Sequence, residues 1–112
     1  MGFHNRWIRY ALKIARRSNH PRHLMSCVIV KGGAVISAAP NSSIWGNHAE
    51  IRAIRPSLDL KDATAYIMRL NLRNSKPCKE CQQALREAGI HTVVYVDAEG
   101  LLRKERVSQL AF

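Results

Sequence analysis

Hydrophobic residues recur at helical spacing near the start of the chain and in short runs after it. From about His4 to Ser18 the apolar positions follow the period of an amphipathic helix: Trp7, Ile8, Ala11, Leu12 and Ala15. Two short apolar runs, Met25 to Val30 and Ala34 to Ala38, flank Gly32 and Gly33, a pair that favours a tight turn. The pattern therefore predicts a helix followed by a β-hairpin whose strands are both buried.

A change of pattern after the hairpin predicts a short second helix. The polar stretch from Pro40 to Ser43 ends the strand pattern, and Asn47 is a suitable N-cap. Pro56 ends the helix because proline cannot donate a helical hydrogen bond. The helix carries His48, Glu50, Ile51 and Ile54.

The next segment predicts a strand, a loop and a third helix. Ala63 to Leu70 is typical of a central strand, and Asn71 to Lys76 is a polar loop. Pro77 suits the first position of a helix, where its missing N–H costs nothing, and Gly89 suits the C-terminal stop. Cys78 and Cys81 are then expected on the first turn of this helix.

The last two strands are predicted to be antiparallel. Thr92 to Val96 is a buried strand, and Leu101 to Val107 carries enough charge to be an edge strand. Only Asp97 to Gly100 separates them, whereas parallel neighbours need a crossover of about a dozen residues or more.

Three residues of the predicted helix starts are typical zinc ligands: His48, Cys78 and Cys81. A structural zinc uses four protein ligands, whereas a catalytic zinc uses three and leaves one position open for water. Glu50 follows the histidine by two residues, where a carboxylate could carry protons for that water without binding the metal. The residues therefore favour a hydrolytic zinc site.

Two other interpretations of these residues stay open. The zinc site is structural if a fourth ligand completes it, from Cys27 or from one of the histidines His4, His20, His23 and His91. Glu50 is a surface residue if it pairs with Arg52 or Arg55.

The order of the two motifs, H-x-E followed by P-C-x-x-C, resembles that of the cytidine deaminase-like superfamily of zinc-dependent nucleobase deaminases. The resemblance rests on His48, Glu50, Pro77, Cys78 and Cys81. It implies an α/β fold, a three-layer α-β-α sandwich around a mixed sheet of about five strands. The length predicts that residues 1–112 form a single domain. The antiparallel ending is similar to that of members that act on free nucleosides.

The resemblance also implies an activity and a cofactor. We expect zinc-dependent hydrolytic deamination of a cytosine-bearing nucleoside or nucleotide, with release of ammonia and with Glu50 as the proton carrier. Adenine as the target base, and cytosine or adenine in single-stranded DNA or RNA, remain alternatives. A non-catalytic nucleic-acid-binding module with a structural zinc is a further alternative.

Four residues near the motifs are candidate substrate contacts. Asn41 resembles the asparagine with which family members contact the sugar, although Pro-Asn-Ser is also common in turns. Trp45 could stack on a base or cover the core. Ser75 and Lys76 directly precede the P-C-x-x-C motif, and Lys76 stands where relatives more often carry a small or acidic residue.

Charge and composition bear on partners and location. The net charge is +10, and Glu50 is the only acidic residue before Leu58, so the first half should attract phosphate, unless it is simply a solvated basic face. No apolar run predicts a signal peptide or a membrane span, and three cysteines, two of them in C-x-x-C, suit reduced thiolates. We expect a cytoplasmic protein without a membrane partner and, from the resemblance, a homo-oligomer.

Overall fold

The computed structural model describes residues 5–42 and 48–110 of the chain. The helices are α1 (Arg6–Ala15), α2 (Ala49–Ala53) and α3 (Lys79–Glu87), and the strands are β1 (Met25–Lys31), β2 (Ala34–Pro40), β3 (Thr64–Arg69), β4 (Thr92–Val96) and β5 (Leu102–Arg106). A short 3-10 turn, Val107–Gln109, follows β5. None of the described helices has both the length and the apolar character needed to span a membrane.

The strands form one mixed sheet in the order β2-β1-β3-β4-β5. β1 pairs antiparallel with both β2 and β3, whereas β3 and β4 are parallel and are joined through the crossover helix α3. β5 runs antiparallel to β4, and the two are connected by a tight turn in which the Asp97 N–H donates to the Leu101 carbonyl. The prediction of a mixed five-stranded sheet with an antiparallel ending is therefore confirmed.

Helices cover both faces of the sheet, because alternate residues of the central strands are apolar on both sides. Val28 and Met68 face one core, which includes Ile8, Ala11 and Ile14 of α1. Cys27 and Ile29 face the other core, which includes Ala49 and Ala53 of α2 and Leu85 of α3. This is the three-layer α-β-α arrangement that the resemblance implied.

Three local predictions need correction. β2 is only partly buried because it is an edge strand, so the expectation of two buried hairpin strands holds for β1 alone. α3 begins at Lys79 and not at Pro77, because Cys78 is its N-cap with an extended ψ of 168°. The N-cap of α2 is His48, while the predicted cap Asn47 lies outside the described residues.

Candidate active site

His48 is held at the start of α2, a helix that is fixed to the end of β2. The Ser37 hydroxyl of β2 donates to the Ala53 carbonyl at 2.6 Å. The Arg52 guanidinium of α2 donates to the Pro40 carbonyl at 2.8 Å. Both bonds attach the C-terminal end of the short helix to one strand, and the His48 imidazole at the other end lies beside the neighbouring helix α3.

Cys78 and Cys81 lie at the N-terminus of α3, one as its N-cap and the other in its first turn. The Gln82 N–H donates to the Cys78 carbonyl at 2.8 Å, which closes this turn. The buried amide of Gln82 also donates to the Pro77 carbonyl at 2.9 Å, so it holds the segment that carries Cys78. No pattern in the sequence indicated this supporting role of Gln82.

The three side chains converge on one point. Nδ1 of His48 is 3.3 Å from Sγ of Cys81 and 3.8 Å from Sγ of Cys78, and all three donor atoms lie within 4.8 Å of one another. Zinc–sulfur and zinc–nitrogen bonds of about 2.3 and 2.1 Å at a tetrahedral angle separate the donors by about 3.6 to 3.8 Å. The set therefore fits a zinc ion in both chemistry and spacing.

The zinc set has three members in the part of the chain that the structure describes. No further His, Cys, Asp or Glu of those residues joins His48, Cys78 and Cys81 in the group. Cys27, which was considered as a closing ligand, is fully buried on β1 within the core of apolar residues under α2 and α3. His4, considered for the same role, lies outside the described residues. The described donors thus match a site with an open position.

Glu50 lies beside the zinc set and is 4% exposed. The Cys81 thiol hydrogen-bonds to its carboxylate, and both Glu50 and His48 line the same cavity. Burial raises the pKa of the Glu50 carboxyl, although hydrogen bonds from its own backbone N–H and from Cys81 oppose the shift. A surface pair with Arg52 or Arg55 is wrong, because the carboxylate is buried whereas both arginines are exposed.

The thiol of Cys81 is also perturbed by its surroundings. Burial, and then the negative charge of Glu50, raise the pKa of this thiol in the metal-free protein. A bound cation reverses that effect, because it favours the thiolate form of its ligands.

A cavity of about 320 Å³ opens above these groups. Two of the four candidate substrate contacts line it. Asn41 and Lys76 line it together with Glu50 and Cys78. Ser75 does not face it, and Trp45 lies outside the described residues.

The amide of Asn41 is engaged with the chain itself. Its oxygen accepts from the Met25 N–H at 3.0 Å and from the Ser18 hydroxyl, and its nitrogen donates to the His23 carbonyl at 2.7 Å. Asn41 therefore shapes the cavity wall by fixing the segment that enters β1. A contact between this residue and the sugar stays a prediction.

The hydroxyl of Ser75 joins two strands instead of facing the cavity. It donates to the Ile67 carbonyl of β3 at 2.7 Å and accepts from the Val96 N–H of β4 at 3.0 Å. The side chain is 1% exposed. The expectation of a substrate contact at Ser75 is corrected for this reason, because both hydrogen-bonding directions of the hydroxyl are used within the fold.

Five polar residues of the cavity were not predicted as substrate contacts: His20, His23, Ser42, Arg69 and Asn74. His20 and His23 lie in the loop between α1 and β1, and in the sequence they were candidates only as metal ligands. Arg69 ends β3, where a single charged residue after an apolar run was the available signal. The histidines and Arg69 lie close together because Met25 of β1 pairs with Arg69 of β3.

The chain matches a known family and known proteins over most of its length. The family model described as the cytidine and deoxycytidylate deaminase zinc-binding region matches residues 1–97. The chain is 34% identical over 88 residues to the riboflavin biosynthesis protein RibD of Escherichia coli, an alignment that covers 75% of this chain and 24% of RibD. The chloroplastic riboflavin biosynthesis protein PYRD of Arabidopsis thaliana is 28% identical over 116 aligned residues, covering 93% of this chain and 26% of that protein.

Solved structures of deaminases share the fold of this chain. A diaminohydroxyphosphoribosylaminopyrimidine deaminase/5-amino-6-(5-phosphoribosylamino)uracil reductase from Thermotoga maritima matches with a TM-score of 0.61 and 26% identity, over 77% of this chain and 27% of that one. A dCMP deaminase from the cyanophage S-TIM5 matches with a TM-score of 0.66 over 83% of this chain and 82% of that one, and at 19% identity it shows the fold alone. The chain spans about a quarter of the length of the curated relatives reported above.

Proposed function

The chain belongs to the family of cytidine and deoxycytidylate deaminases, and on this premise we propose that it is a zinc-dependent hydrolase that removes an exocyclic amino group from a pyrimidine ring. The observation that carries the proposal is the position of Glu50. Its buried carboxylate lies beside a three-donor zinc set and lines the cavity that the set faces. In a structural zinc site, a buried carboxylate that does not bind the metal would have no function at this position.

His48, Cys78 and Cys81 would hold the zinc ion. When bound, zinc supplies Lewis acidity and lowers the pKa of a coordinated water from about 15.7 to about 7. The cavity beside the site has the size of a small-molecule site, about 320 Å³.

Glu50 moves the protons of the reaction. Its carboxylate accepts a proton from the attacking water and passes it to the ring nitrogen next to the carbon that carries the amine. A second proton from the same water then goes through Glu50 to the amine, the carbon–nitrogen bond breaks and ammonia leaves. One water is consumed, and a carbonyl replaces the amine. Because burial raises the pKa of the Glu50 carboxyl, the group can hold a proton between the two transfers.

Two pyrimidine substrates follow from different observations. The family match supports a cytosine-bearing nucleoside or nucleotide. The relatives named as RibD support the diaminohydroxyphosphoribosylaminopyrimidine of the Thermotoga maritima enzyme's name. Both offer an amine on a pyrimidine ring, so the same proton transfers serve either one. The basic first half of the chain also keeps cytosine in single-stranded nucleic acid as a candidate.

A product screen separates these substrates. The zinc-loaded chain is incubated with cytidine, deoxycytidine, their monophosphates, the phosphoribosylaminopyrimidine and short single strands, and the products are measured by mass spectrometry together with released ammonia. We expect replacement of one amino group by oxygen in a pyrimidine of low molecular weight. A chain that binds zinc and single strands but converts none of these compounds would be a binding module.

Glu50→Gln tests the proton carrier. We expect this variant to keep the fold and one zinc ion per chain but to release ammonia about 10²- to 10⁴-fold more slowly, because the amide cannot accept and return a proton. Zinc content is measured by elemental analysis, and the fold by circular dichroism. Glu99→Gln is the matched control, because Glu99 is exposed in the β4–β5 turn and should retain full activity. Normal turnover by Glu50→Gln would refute the proposed mechanism.

A further inference from the structure

The described residues that line the cavity carry an imbalance of charge. Besides the zinc-ligand candidate His48, four basic side chains line it, His20, His23, Arg69 and Lys76, whereas Glu50 is the only carboxylate among the described lining residues. The deamination proposed above uses Glu50 and the zinc ligands but leaves these basic groups without a role.

Arg69 is the basic residue with the least satisfied surroundings. Its Nε is buried and has no hydrogen-bond partner in the described part of the chain. The ion pairs of Lys31 with Asp59 and of Arg103 with Asp97 do not involve Arg69. A buried donor without an acceptor is costly for the fold, and a guanidinium presents several donors in a planar fork. Such a group suits an anion that enters from the cavity.

The two histidines add donors near Arg69. The rings of His20 and His23 stack with their centroids 5.5 Å apart. Nδ1 of His20 accepts from the backbone N–H groups of Arg22 and His23 at 3.1 and 3.0 Å, so the proton of the neutral ring must be on Nε2. Desolvation, and then the positive charge of Arg69, lower the pKa of His23. The cluster therefore combines fixed donors with positive charge that no described carboxylate of the cavity besides Glu50 offsets.

We propose that Arg69, assisted by His20 and His23, binds a terminal phosphate on the sugar of the substrate and makes the site specific for a pyrimidine nucleoside monophosphate. The inference rests on the proposed function and narrows its substrate class. Arginine binds phosphate through paired N–H donors, which gives both affinity and orientation. Since Arg69 and Glu50 line one cavity of about 320 Å³, phosphate and pyrimidine ring belong to a single small ligand. A phosphomonoester also carries more negative charge than the diester of a polynucleotide backbone.

The first experiment compares cytidine with cytidine 5′-monophosphate as substrates of Arg69→Met. We expect KM for the monophosphate to rise about 10- to 100-fold, because a charge-assisted contact is lost, and KM for cytidine to stay unchanged. Arg69→Lys should fall between wild type and Arg69→Met, because lysine keeps the charge but not the fork. Arg55→Met is the matched control, because Arg55 is exposed and lies outside the cavity lining. An equal change of KM for the two substrates would overturn the proposal.

A second experiment does not depend on turnover. Ribose 5-phosphate, ribose and inorganic phosphate are titrated into the wild type and into Arg69→Met by calorimetry, with and without zinc. We expect ribose 5-phosphate to bind the wild type about 10-fold or more tightly than it binds the variant, in both metal states, and ribose to show no such difference. Equal binding of ribose 5-phosphate to both proteins would refute the role of Arg69 even if the chain is a deaminase. A dependence on Arg69 without deamination of any substrate would refute the proposed function and support the phosphate site.

A single-stranded oligonucleotide without terminal phosphates tests whether the site binds a phosphomonoester or the phosphodiesters of a polynucleotide. We expect Arg69→Met to change its affinity by less than about twofold, as Arg55→Met does, because its diesters occupy the outer basic surface. A loss as large as that for ribose 5-phosphate would overturn the monoester assignment.

Discussion

The fold uses the Ser75 hydroxyl even though this residue directly precedes the cysteine motif. Through its bonds to Ile67 and Val96 it joins β3 and β4 at the end of the sheet where the cavity lies. These two parallel strands share only a short ladder, from Thr64 to Tyr66 on β3. A side chain that extends the connection beyond the ladder keeps the segment before Cys78 in place, so Ser75 supports the site from beneath it.

Ser75→Ala should therefore destabilise the protein without changing substrate recognition. We expect the free energy of unfolding to fall by about 1 to 3 kcal/mol, because a buried carbonyl and a buried N–H lose their partner. Urea unfolding measures the loss, and KM of the variant at a temperature where it is folded should equal that of the wild type. Ser57→Ala serves as the control because Ser57 is exposed. A raised KM with normal stability would instead make Ser75 a substrate contact.

The sequence predicted the residues whose role depends on short spacing. His48 and Glu50 are two positions apart and Cys78 and Cys81 three, so local structure alone brings each pair to one place. Arg69 could not be found in this way, because its environment arises from the pairing of β3 with β1 and from a loop that precedes β1. The same limit applies to the structural role of Asn41, whose partners His23 and Met25 are distant along the chain.

At the level of elements, α3 shows how a helix boundary affects chemistry. Cys78 has an extended backbone and caps the helix, so its sulfur lies at the helix end within 3.8 Å of His48 Nδ1. Cys81 lies in the first turn and is buried, with its sulfur 3.3 Å from the same nitrogen. The predicted start at Pro77 would have placed both cysteines within regular helix. Pro77 and Gly89 predicted the helix and its end, but they could not resolve a boundary set by one ψ angle.

The C-terminus of α3 agrees with the prediction for Gly89. The Ile90 N–H donates to the Leu85 carbonyl and the Gly89 N–H to the Arg86 carbonyl, which is the Schellman arrangement. Gly89 has a φ of +84°, and a Cβ added there would lie 3.2 Å from Cα of Lys61. The glycine thus ends the helix and also lets the chain before β3 pass close by.

Comparing Gly89→Ala with Gly100→Ala separates these two effects. Both glycines have a φ of +84°, but an added Cβ at Gly100 meets nothing within 4 Å. We expect Gly100→Ala to cost about 1 to 2 kcal/mol of unfolding free energy from backbone strain, and Gly89→Ala to cost more because the Lys61 backbone must shift. Chemical denaturation measures both values. Equal losses would show that the close approach is relieved without cost.

At the scale of the whole molecule, the net charge of +10 bears on how substrates arrive. The basic side chains of α1, including Arg9 and Lys13, are exposed on the face of the sheet opposite α2 and α3. A field of one sign attracts phosphate from a distance, but dissolved salt screens it beyond about 10 Å at 0.1 M.

Ionic strength should therefore affect phosphorylated and neutral substrates differently. We expect kcat/KM for cytidine 5′-monophosphate to fall steadily as salt rises, while kcat/KM for cytidine changes by less than about twofold. Steady-state assays from low to high sodium chloride measure both. A single strand should respond more steeply, because each contacted phosphate releases counterions. Equal salt dependence for nucleotide and nucleoside would show that the basic half of the chain plays no part in substrate capture.

Assembly into a homo-oligomer stays a prediction.

The metal donors come from two helices, and His48 and Cys78 are separated by 30 positions that include all of β3. An ion bound between them would act as a cross-link that closes a loop, and such a link removes conformational freedom from the unfolded chain more than from the folded one. Loss of the ion would then weaken the attachment of α2 to α3 as well as stop the reaction. The lifetime of the folded chain would in this way follow the zinc supply of its surroundings.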